Sequence, residues 1–264
     1  MRALENLYAL GALNDKGELT KLGRQMAEFP TDPMLAKAIL AADKYGCVEE
    51  VLSIVSMLGE SSALFYRPKD RKLYADQARA RFTNKDGGDH LSLLSIWNQW
   101  VDTDFSYVWA RENFLQHRSL CRARDVRDQL ARLCDRVEVT ISSVGPNDLP
   151  PIQKAITAGF FPNAARLQRG GDSYRTVKNA QTVYIHPSST LFEVNPKWAI
   201  YYELVLTSMF YYSSFLFFHC EFELTSTHQH RQGIHPQRDA TETGVARRGR
   251  PPLPQEEGPR YSRY

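Results

Sequence analysis

Residues 164–207 read AARLQRGGDSYRTVKNAQTVYIHPSSTLFEVNPKWAIYYELVLT, and their apolar pattern has a period nearer two than 3.6. Ala164–Gln168, Tyr174–Lys178, Thr182–His186, Thr190–Val194 and Ala199–Thr207 are the strand candidates. Gly170-Gly171-Asp172, Asn179-Ala180 and Asn195-Pro196 divide them. In the last run Ile200, Tyr202, Leu204 and Leu206 alternate with Tyr201, Glu203, Val205 and Thr207, as a strand with two unlike faces requires.

Five strands this short and closely spaced suit a small barrel of the oligonucleotide-binding (OB) type. What precedes them is helical. Pro150-Pro151 opens a helix ending near Gly159, behind the breaker Gly145-Pro146-Asn147-Asp148. One long helix is predicted from about Ala110 to Arg136. Its inward seam is Ser119, Ala123, Val126, Leu130 and Leu133, while Arg118, Arg122, Asp125, Gln129, Arg132 and Arg136 keep the same spacing on another face. A guanidinium at each turn can track a phosphate backbone. The same stripe also reads as a solvated face with ion pairs to Asp125, Asp128 and Asp135.

Further upstream, Asp89 and His90 mark the start of a helix over Leu91–Val101, with Leu93, Leu94, Trp97 and Trp100 as its bulky face. A polar stretch from Arg67 to Asp89 separates it from the buried stripe Val48, Val51, Leu52, Val55, Leu58. Thr31-Asp32-Pro33 starts another helix, with Thr or Asp as cap and an apolar face of Leu35, Ala38, Ile39 and Ala42. The first thirty residues give a short apolar helix (Leu4, Leu7, Tyr8, Leu10), a tight turn at Asn14-Asp15-Lys16-Gly17 and a second turn mark at Gly23. Helix then hairpin is the signature of a winged helix, here lacking its beginning.

The fold class predicted is therefore α+β. A partial winged helix (1–30), a helical bundle (31–145) and an incomplete OB-like barrel (146–208) precede an aberrant apolar segment and disordered tail (209–264).

Composition narrows the function. At 264 residues, with 42% hydrophobic and 24% charged side chains, the chain is globular in character and long enough for about two domains. The net charge of +3 resides in the last forty residues, which hold seven Arg against four Asp or Glu; residues 1–224 carry 26 side chains of each sign. A nucleic-acid surface in the body must come from local clustering. The longest apolar run, Met209–Phe218, is too short to span a membrane, and MRALENLYAL lacks the pattern of a secretion signal. Cys47, Cys121, Cys134 and Cys220 form no C-x-x-C pair, and His228 and His230 have no third ligand near them. Reduced structural thiols in a cytosolic or nuclear protein are the reading preferred over zinc or disulfides.

No catalytic machinery is visible. G-x-x-x-x-G-K-[ST], a D-E pair, G-x-S-x-G and H-E-x-x-H are all absent, and none of His90, His117 and His186 sits beside a nucleophile with a third partner. What remains is binding chemistry. Arg166, Arg169, Arg175 and Lys178 lie close to Tyr174, Tyr184, His186 and Trp198, and basic groups with aromatic faces bind single strands by phosphate contact and base stacking. The alternative is that the aromatics are core or turn residues and the bases ordinary surface.

Seven blocks occur in order: ALENLYALGALNDKGELTKLGRQMAEFPTDPMLAKAIL, EEVLSIVSMLGESSALFYRP, GDHLSLLSIWNQW, NFLQHRSLCRARDVRDQL, AITAGFFPNAARL, YRTVKNAQTVYIHPSSTLF and WAIYYELVLTS. Together they resemble the C-terminal half of DEAH-box RNA helicases, over about residues 2–208, with winged helix, helical ratchet domain and OB fold in that order. RARDVRDQL and YRTVKNAQTVYIHPSS are most similar to the spliceosomal type that acts before the first splicing reaction.

The resemblance implies a nuclear, RNA-dependent NTPase of pre-mRNA splicing that moves along single-stranded RNA. ATP and magnesium would be held by motor domains whose motifs these residues do not contain, so no cofactor is expected in this chain and no turnover from it alone. A G-patch-type activator docking near the winged helix and other spliceosome proteins are the implied partners, with no membrane. The RNA-binding positions the resemblance maps are Arg118, Arg122, Arg124 and Arg127 on the long helix, and Arg175, Lys178 and His186 on the barrel.

After ELVLTS the resemblance stops. MFYYSSFLFFHCEF and the tail stand where the family continues with a Lys- and Glu-bearing segment and a Trp-containing helix, as a frameshift or intron read-through would produce. That swap is expected to leave a barrel edge exposed, or covered by part of residues 209–222, and to leave 209–264 protease-sensitive. A stand-alone RNA-binding or interaction module, or a non-functional gene-model fragment, are the alternatives.

Overall fold

The computed structural model describes residues 2–145, 148–206, 211–213 and 217–219. The disordered-tail expectation for residues beyond these lies outside the described residues. The chain enters as α1 (Arg2–Ala9) and α2 (Lys21–Ala27), joined by a tight turn across which Leu13 bridges Leu19. Asn14 shapes the turn: its Oδ1 accepts from the N–H of Lys16 at 3.0 Å and of Glu18 at 2.9 Å. Gly17 takes φ +78°, where a Cβ would be strained. Thr20 caps α2, its hydroxyl accepting from the N–H of Gly23 at 2.9 Å. Gly23, expected to mark a turn, lies inside α2. A Cβ there would stand 2.1 Å from the Ala12 carbonyl oxygen, so glycine serves close approach of helix to turn and not chain reversal.

The helical body comprises α3 (Pro33–Tyr45), α4 (Val48–Leu58), α5 (Ser61–Leu64), α6 (Lys72–Arg81), α7 (Gly88–Asp102), α8 (Tyr107–Glu112), α9 (His117–Arg136) and α10 (Leu149–Phe160). Pro33 opens α3 as expected, but neither expected cap acts: Asp32 makes no side-chain bond to the helix, and among the described residues the Thr31 hydroxyl has no hydrogen-bond partner. Proline at the first position removes one of the unpaired N–H groups of the helix start and presets its φ. The stripe Val48, Val51, Leu52, Val55, Leu58 is buried, and burial extends round the helix to Ile54 and Met57 because α3, α7 and α9 all pack on α4. α10 lies against α3, closely enough that a Cβ on Gly159 would fall 2.2 Å from the Met34 carbonyl oxygen.

Three helical expectations are corrected. The polar stretch 67–89 contains α6, whose buried face is no more than Ala75 and Ala78, too faint a stripe to read. The helix expected from Ala110 to Arg136 breaks at Asn113–Gln116, where the chain runs beside residues 64–66: Tyr66 N–H donates to the Phe114 carbonyl and Gln116 N–H to the Leu64 carbonyl. Those cross-chain bonds, with Phe114 at φ +55°, replace the helical ladder. In the α9 seam Val126 is 40% exposed, and Ser119, Leu120, Ala123, Leu130 and Cys134 are the residues buried.

The strands are β1 (Ala164–Leu167), β2 (Tyr174–Thr176), β3 (Thr182–Ile185), β4 (Trp198–Tyr201), β5 (Val205–Leu206), β6 (Tyr211–Ser213) and β7 (Phe217–His219). β4-β1-β2-β3 form a curled antiparallel half-barrel, extended by β6 and β5 at one rim and by β7 at the other. Its concave side buries Ala165, Tyr174, Val183, Ile185, Leu191, Ala199 and Tyr201. On the other side Ile200 joins the helical core, and Tyr202 packs with Phe160 at 6.0 Å between ring centres.

Thr190–Val194, expected as a strand, is a series of turns. The buried Asp89 carboxylate accepts from the Ser189 hydroxyl at 2.5 Å and the Thr190 N–H at 2.9 Å, holding this loop to α7. Asp89 lies in the first turn of α7, as expected, and its carboxylate also ties the helical body to the barrel; Gly87 precedes α7 without a side-chain cap. The run Ala199–Thr207 divides after Tyr201, because the Asn163 amide donates to the carbonyls of Tyr201 and Tyr202 at 3.1 and 3.2 Å. Two strands not foreseen, β6 and β7, lie within the apolar run after Met209 and pair with β3 and β4. Parts of that run therefore cover the half-barrel's rims.

Candidate nucleic-acid interface

The barrel signal rests on register. Antiparallel pairing places Trp198 opposite Arg166, Arg166 opposite Arg175, and Arg175 opposite Thr182, one row across β4, β1, β2 and β3. The neighbours Ala165, Tyr174, Thr176, Val183 and Ala199 point inward and are buried, so the row faces outward. Arg166 and Arg175 are exposed, with the Arg166 guanidinium 5.5 Å from the centre of the Trp198 ring and Arg175 Nε donating to the Ala180 carbonyl at 3.2 Å. Like charges directly opposite destabilise a strand pair. Neither guanidinium meets a carboxylate among the described residues. Such a pair is suited to an anion that bridges both.

Arg169 sits at the β1–β2 turn and is exposed. Lys178, just past β2, donates from its ammonium to Asn6 Oδ1 on α1, which joins the barrel to the winged module. His186, just past β3, accepts at Nδ1 from the Ser188 N–H at 3.1 Å, with the Ser188 hydroxyl 2.7 Å away. Tyr184 is half-buried and shares the outward parity of Thr182. Tyr174 belongs to the core: it is 1% exposed, its hydroxyl donates to the Pro196 carbonyl at 2.7 Å, and burial pushes its phenol pKa up. For Tyr174 the core alternative holds.

The α9 arginines are arranged differently. Arg118 is exposed and has no ion pair among the described residues. Arg122 forks onto Glu60, donating from Nε at 2.9 Å and Nη2 at 2.5 Å, and also reaches the Ser119 hydroxyl at 2.9 Å. Hydrogen bonding from Arg122 holds the Glu60 carboxyl below its usual pKa. Arg127 donates to the Ser53 hydroxyl at 2.9 Å and Glu49 at 3.2 Å while lying 5.5 Å over Trp97. Arg124 lies 5.3 Å over Phe105, with Asp125 at 4.0 Å.

These pairs run mostly to α4 and its C-terminal end, not along α9 to its own aspartates. Sequence spacing had no means of showing that, since Glu49 and Glu60 are more than sixty residues away. A cleft of about 580 Å³ opens here, walled by Trp97, Phe105, Arg124 and Arg127. The bonds of the α9 group thus run to α4, the start of α5 and α9 itself, and those of the barrel group to its own turns and α1. Among the described residues neither group bonds to the other.

Arg166 is the residue whose importance sequence understates. It was visible as a nearby base, but only the register makes it the partner of Arg175. Burial pushes the Cys47 thiol up to about 12 and the Cys134 thiol up to about 11, so neither forms a thiolate near neutrality. Among the described residues no helix is long and apolar enough to cross a membrane.

Comparison with known families divides the chain in the same order as its elements. Residues 3–31 match the helicase associated domain (HA2), winged-helix; residues 32–93 match the helicase associated domain (HA2), ratchet-like; and residues 152–215 match the oligonucleotide/oligosaccharide-binding (OB)-fold.

Proposed function

We propose, from the premise that this chain carries the HA2 and OB-fold domains of the C-terminal part of a DEAH-box RNA helicase, that it guides single-stranded RNA for such an enzyme in pre-mRNA splicing. The observation that carries this reading is the outward pair Arg166 and Arg175 beside Trp198. Two guanidiniums with no carboxylate between them can share phosphates, while the indole offers a stacking face that tolerates any base. Arg169 adds an exposed guanidinium at the β1–β2 turn, and Lys178 and His186 follow the ends of β2 and β3.

The α9 face contributes less directly in this reading. Arg118 is free to meet phosphate, whereas Arg122, Arg124 and Arg127 position α9 against α4 and the aromatic cleft. A G-patch-type activator and other spliceosome proteins, with nuclear location, follow from the similarity of RARDVRDQL and YRTVKNAQTVYIHPSS to the splicing members of the family. ATP and magnesium belong, in this reading, to motor domains and not to these residues. Lys178 bonded to Asn6 supplies a route by which a ligand at the winged module is felt on the barrel.

Titration of a labelled oligouridylate across about 50 to 200 mM salt tests the proposal. Charge reversal at Arg175 and Lys178 is expected to weaken binding and flatten its salt dependence. An unchanged slope removes both from the interface. An ATPase assay with and without RNA on the same protein separates the accessory reading from an enzyme; no turnover is expected.

A further inference from the structure

A second groove, lined by none of the barrel or α9 basic residues, lies between α6 and α8. It encloses about 1020 Å³, and its floor is Tyr66 packed on Phe114, ring centres 5.6 Å apart. The Tyr66 hydroxyl donates to the Arg111 carbonyl at 3.0 Å, and the Tyr66 N–H donates to the Phe114 carbonyl, so the floor is fixed before any ligand arrives. Tyr74 and Tyr107 form the two walls and are 63% and 59% exposed, with Val108 beside them 61% exposed. On α6 the groove residues Tyr74, Gln77 and Arg81 recur every three or four positions and are all exposed, which makes them one open helix face. On α8 Tyr107 and Val108 share a face with Arg111 and Glu112 one turn later, and the Tyr107 ring is held edge-on 5.2 Å from that of His117.

The rim decides what fits. Arg71, Arg81 and Arg111 stand against Asp70 and Glu112, and Arg71 is 3.8 Å from Asp70. The net charge of the lining is thus about +1, too little to hold a run of phosphates, whose binding rests on neutralising several at once. Arg81 and Arg111 make no ion pair among the described residues. The lining contains three tyrosines and three arginines and no lysine, the residue balance of protein-binding centres and not of phosphate tracks.

We propose that this groove docks a peptide segment of a protein partner, with an aromatic or aliphatic anchor between Tyr74 and Tyr107 and a carboxylate for Arg81 or Arg111. The site is separate from the RNA surface proposed above, and its failure leaves that reading standing.

The test is a random-peptide phage selection on the full chain, counter-selected against a Tyr74→Ala/Tyr107→Ala variant. Both side chains are mostly exposed, so the variant should melt with the wild type; Tyr74→Phe/Tyr107→Phe serves as a second variant that keeps the walls. The expected result is a consensus joining an apolar anchor to Asp or Glu. The synthetic consensus peptide should lose about tenfold or more in affinity on the alanine variant and on Arg81→Glu/Arg111→Glu. It should keep its affinity on the phenylalanine variant, with oligouridylate affinity unchanged throughout.

No enrichment over the counter-selected variant overturns the proposal. So does a loss of oligouridylate binding in the alanine variant, which would make the groove a nucleic-acid surface. Self-association of the chain that the alanine variant abolishes would give the groove to a second copy and overturn it equally.

Discussion

Arg166 on β1 and Arg175 on β2 face one another across the antiparallel ladder, both exposed and with no carboxylate between them. Opposed like charges cost a strand pair about 0.2–1 kcal/mol, and opposed unlike charges return a similar amount. Arg175→Glu therefore replaces repulsion with attraction, while losing the exposed hydrogen bond to the Ala180 carbonyl, itself about 0.5–1.5 kcal/mol. The two effects nearly cancel. The melting temperature should move by no more than a few degrees while oligouridylate affinity drops and the log–log salt slope falls by about 0.7 per phosphate lost. A variant that melts normally and binds RNA with the wild-type slope would show that the arginine pair has no anion to share.

The buried Asp89 carboxylate is a polar tie between α7 and the barrel, accepting from the Ser189 hydroxyl and the Thr190 N–H. Removing it strands two donors, each worth about 1–3 kcal/mol when left unsatisfied in a buried place. Asp89→Ala should lower stability by about 2–6 kcal/mol for the two together, and Asp89→Asn by less because the amide oxygen still accepts. Hydrogen exchange should locate the damage: faster exchange at Thr190 and the turns through Asn195, with α3 and α4 unchanged. Uniform loss of protection across the chain would mean that Asp89 holds the whole fold and not this junction.

The same residue explains where sequence reading succeeded and where it stopped. Local chemistry was legible: the Asn14–Gly17 turn, the Val48–Leu58 stripe, and three of the five strands at nearly their true bounds. Thr190–Val194 has the composition of a strand, yet Asp89, a hundred residues earlier, claims its first donors and bends it into turns. The predicted Ala110–Arg136 helix failed likewise, since residues 64–66 compete for the backbone of 113–116. At the site, basic and aromatic residues were visible as neighbours in sequence. The Arg166–Arg175 pairing, and the capture of Arg122 and Arg127 by Glu60 and Glu49, depend on register and packing that no local pattern encodes.

His90 gives a pH signature. It is 1% exposed, and burial alone pushes its pKa down to about 3 from the ordinary value of about 6.5. The folded protein keeps this imidazole neutral, while the unfolded chain takes up a proton as pH falls below about 6.5. The stability that neutral His90 permits is therefore complete above the unfolded pKa and erodes as pH falls toward the folded one, by about 1.4 kcal/mol per pH unit. Urea unfolding between pH 7 and 5 should show this slope in the wild type and a shallower one in His90→Leu. Parallel slopes for the two proteins would mean that His90 is protonated in the folded state.

Gly159 and Gly59 make a matched pair for testing how tightly α10 seats on α3. A Cβ at Gly159 would lie 2.2 Å from the Met34 carbonyl oxygen and 3.0 Å from the Ala38 nitrogen, both backbone atoms that cannot swing aside. At Gly59 the nearest atom is the Ser56 carbonyl oxygen at 3.8 Å, and the backbone is in the right-handed helical region that alanine prefers. Both substitutions reduce the freedom of the unfolded chain and gain about 0.4–1 kcal/mol from that source. Gly59→Ala should keep that gain and raise the melting temperature. Gly159→Ala must also force α10 from α3, an overpacking cost of about 1–3 kcal/mol, and should melt lower than the wild type. Since α10 leads into β1 through a single 3-10 turn, Phe161–Asn163, the displacement should reach the Arg166–Arg175 pair and weaken oligouridylate binding in the same variant. If Gly159→Ala is as stable as Gly59→Ala and binds RNA normally, the close α3–α10 contact does not position the barrel.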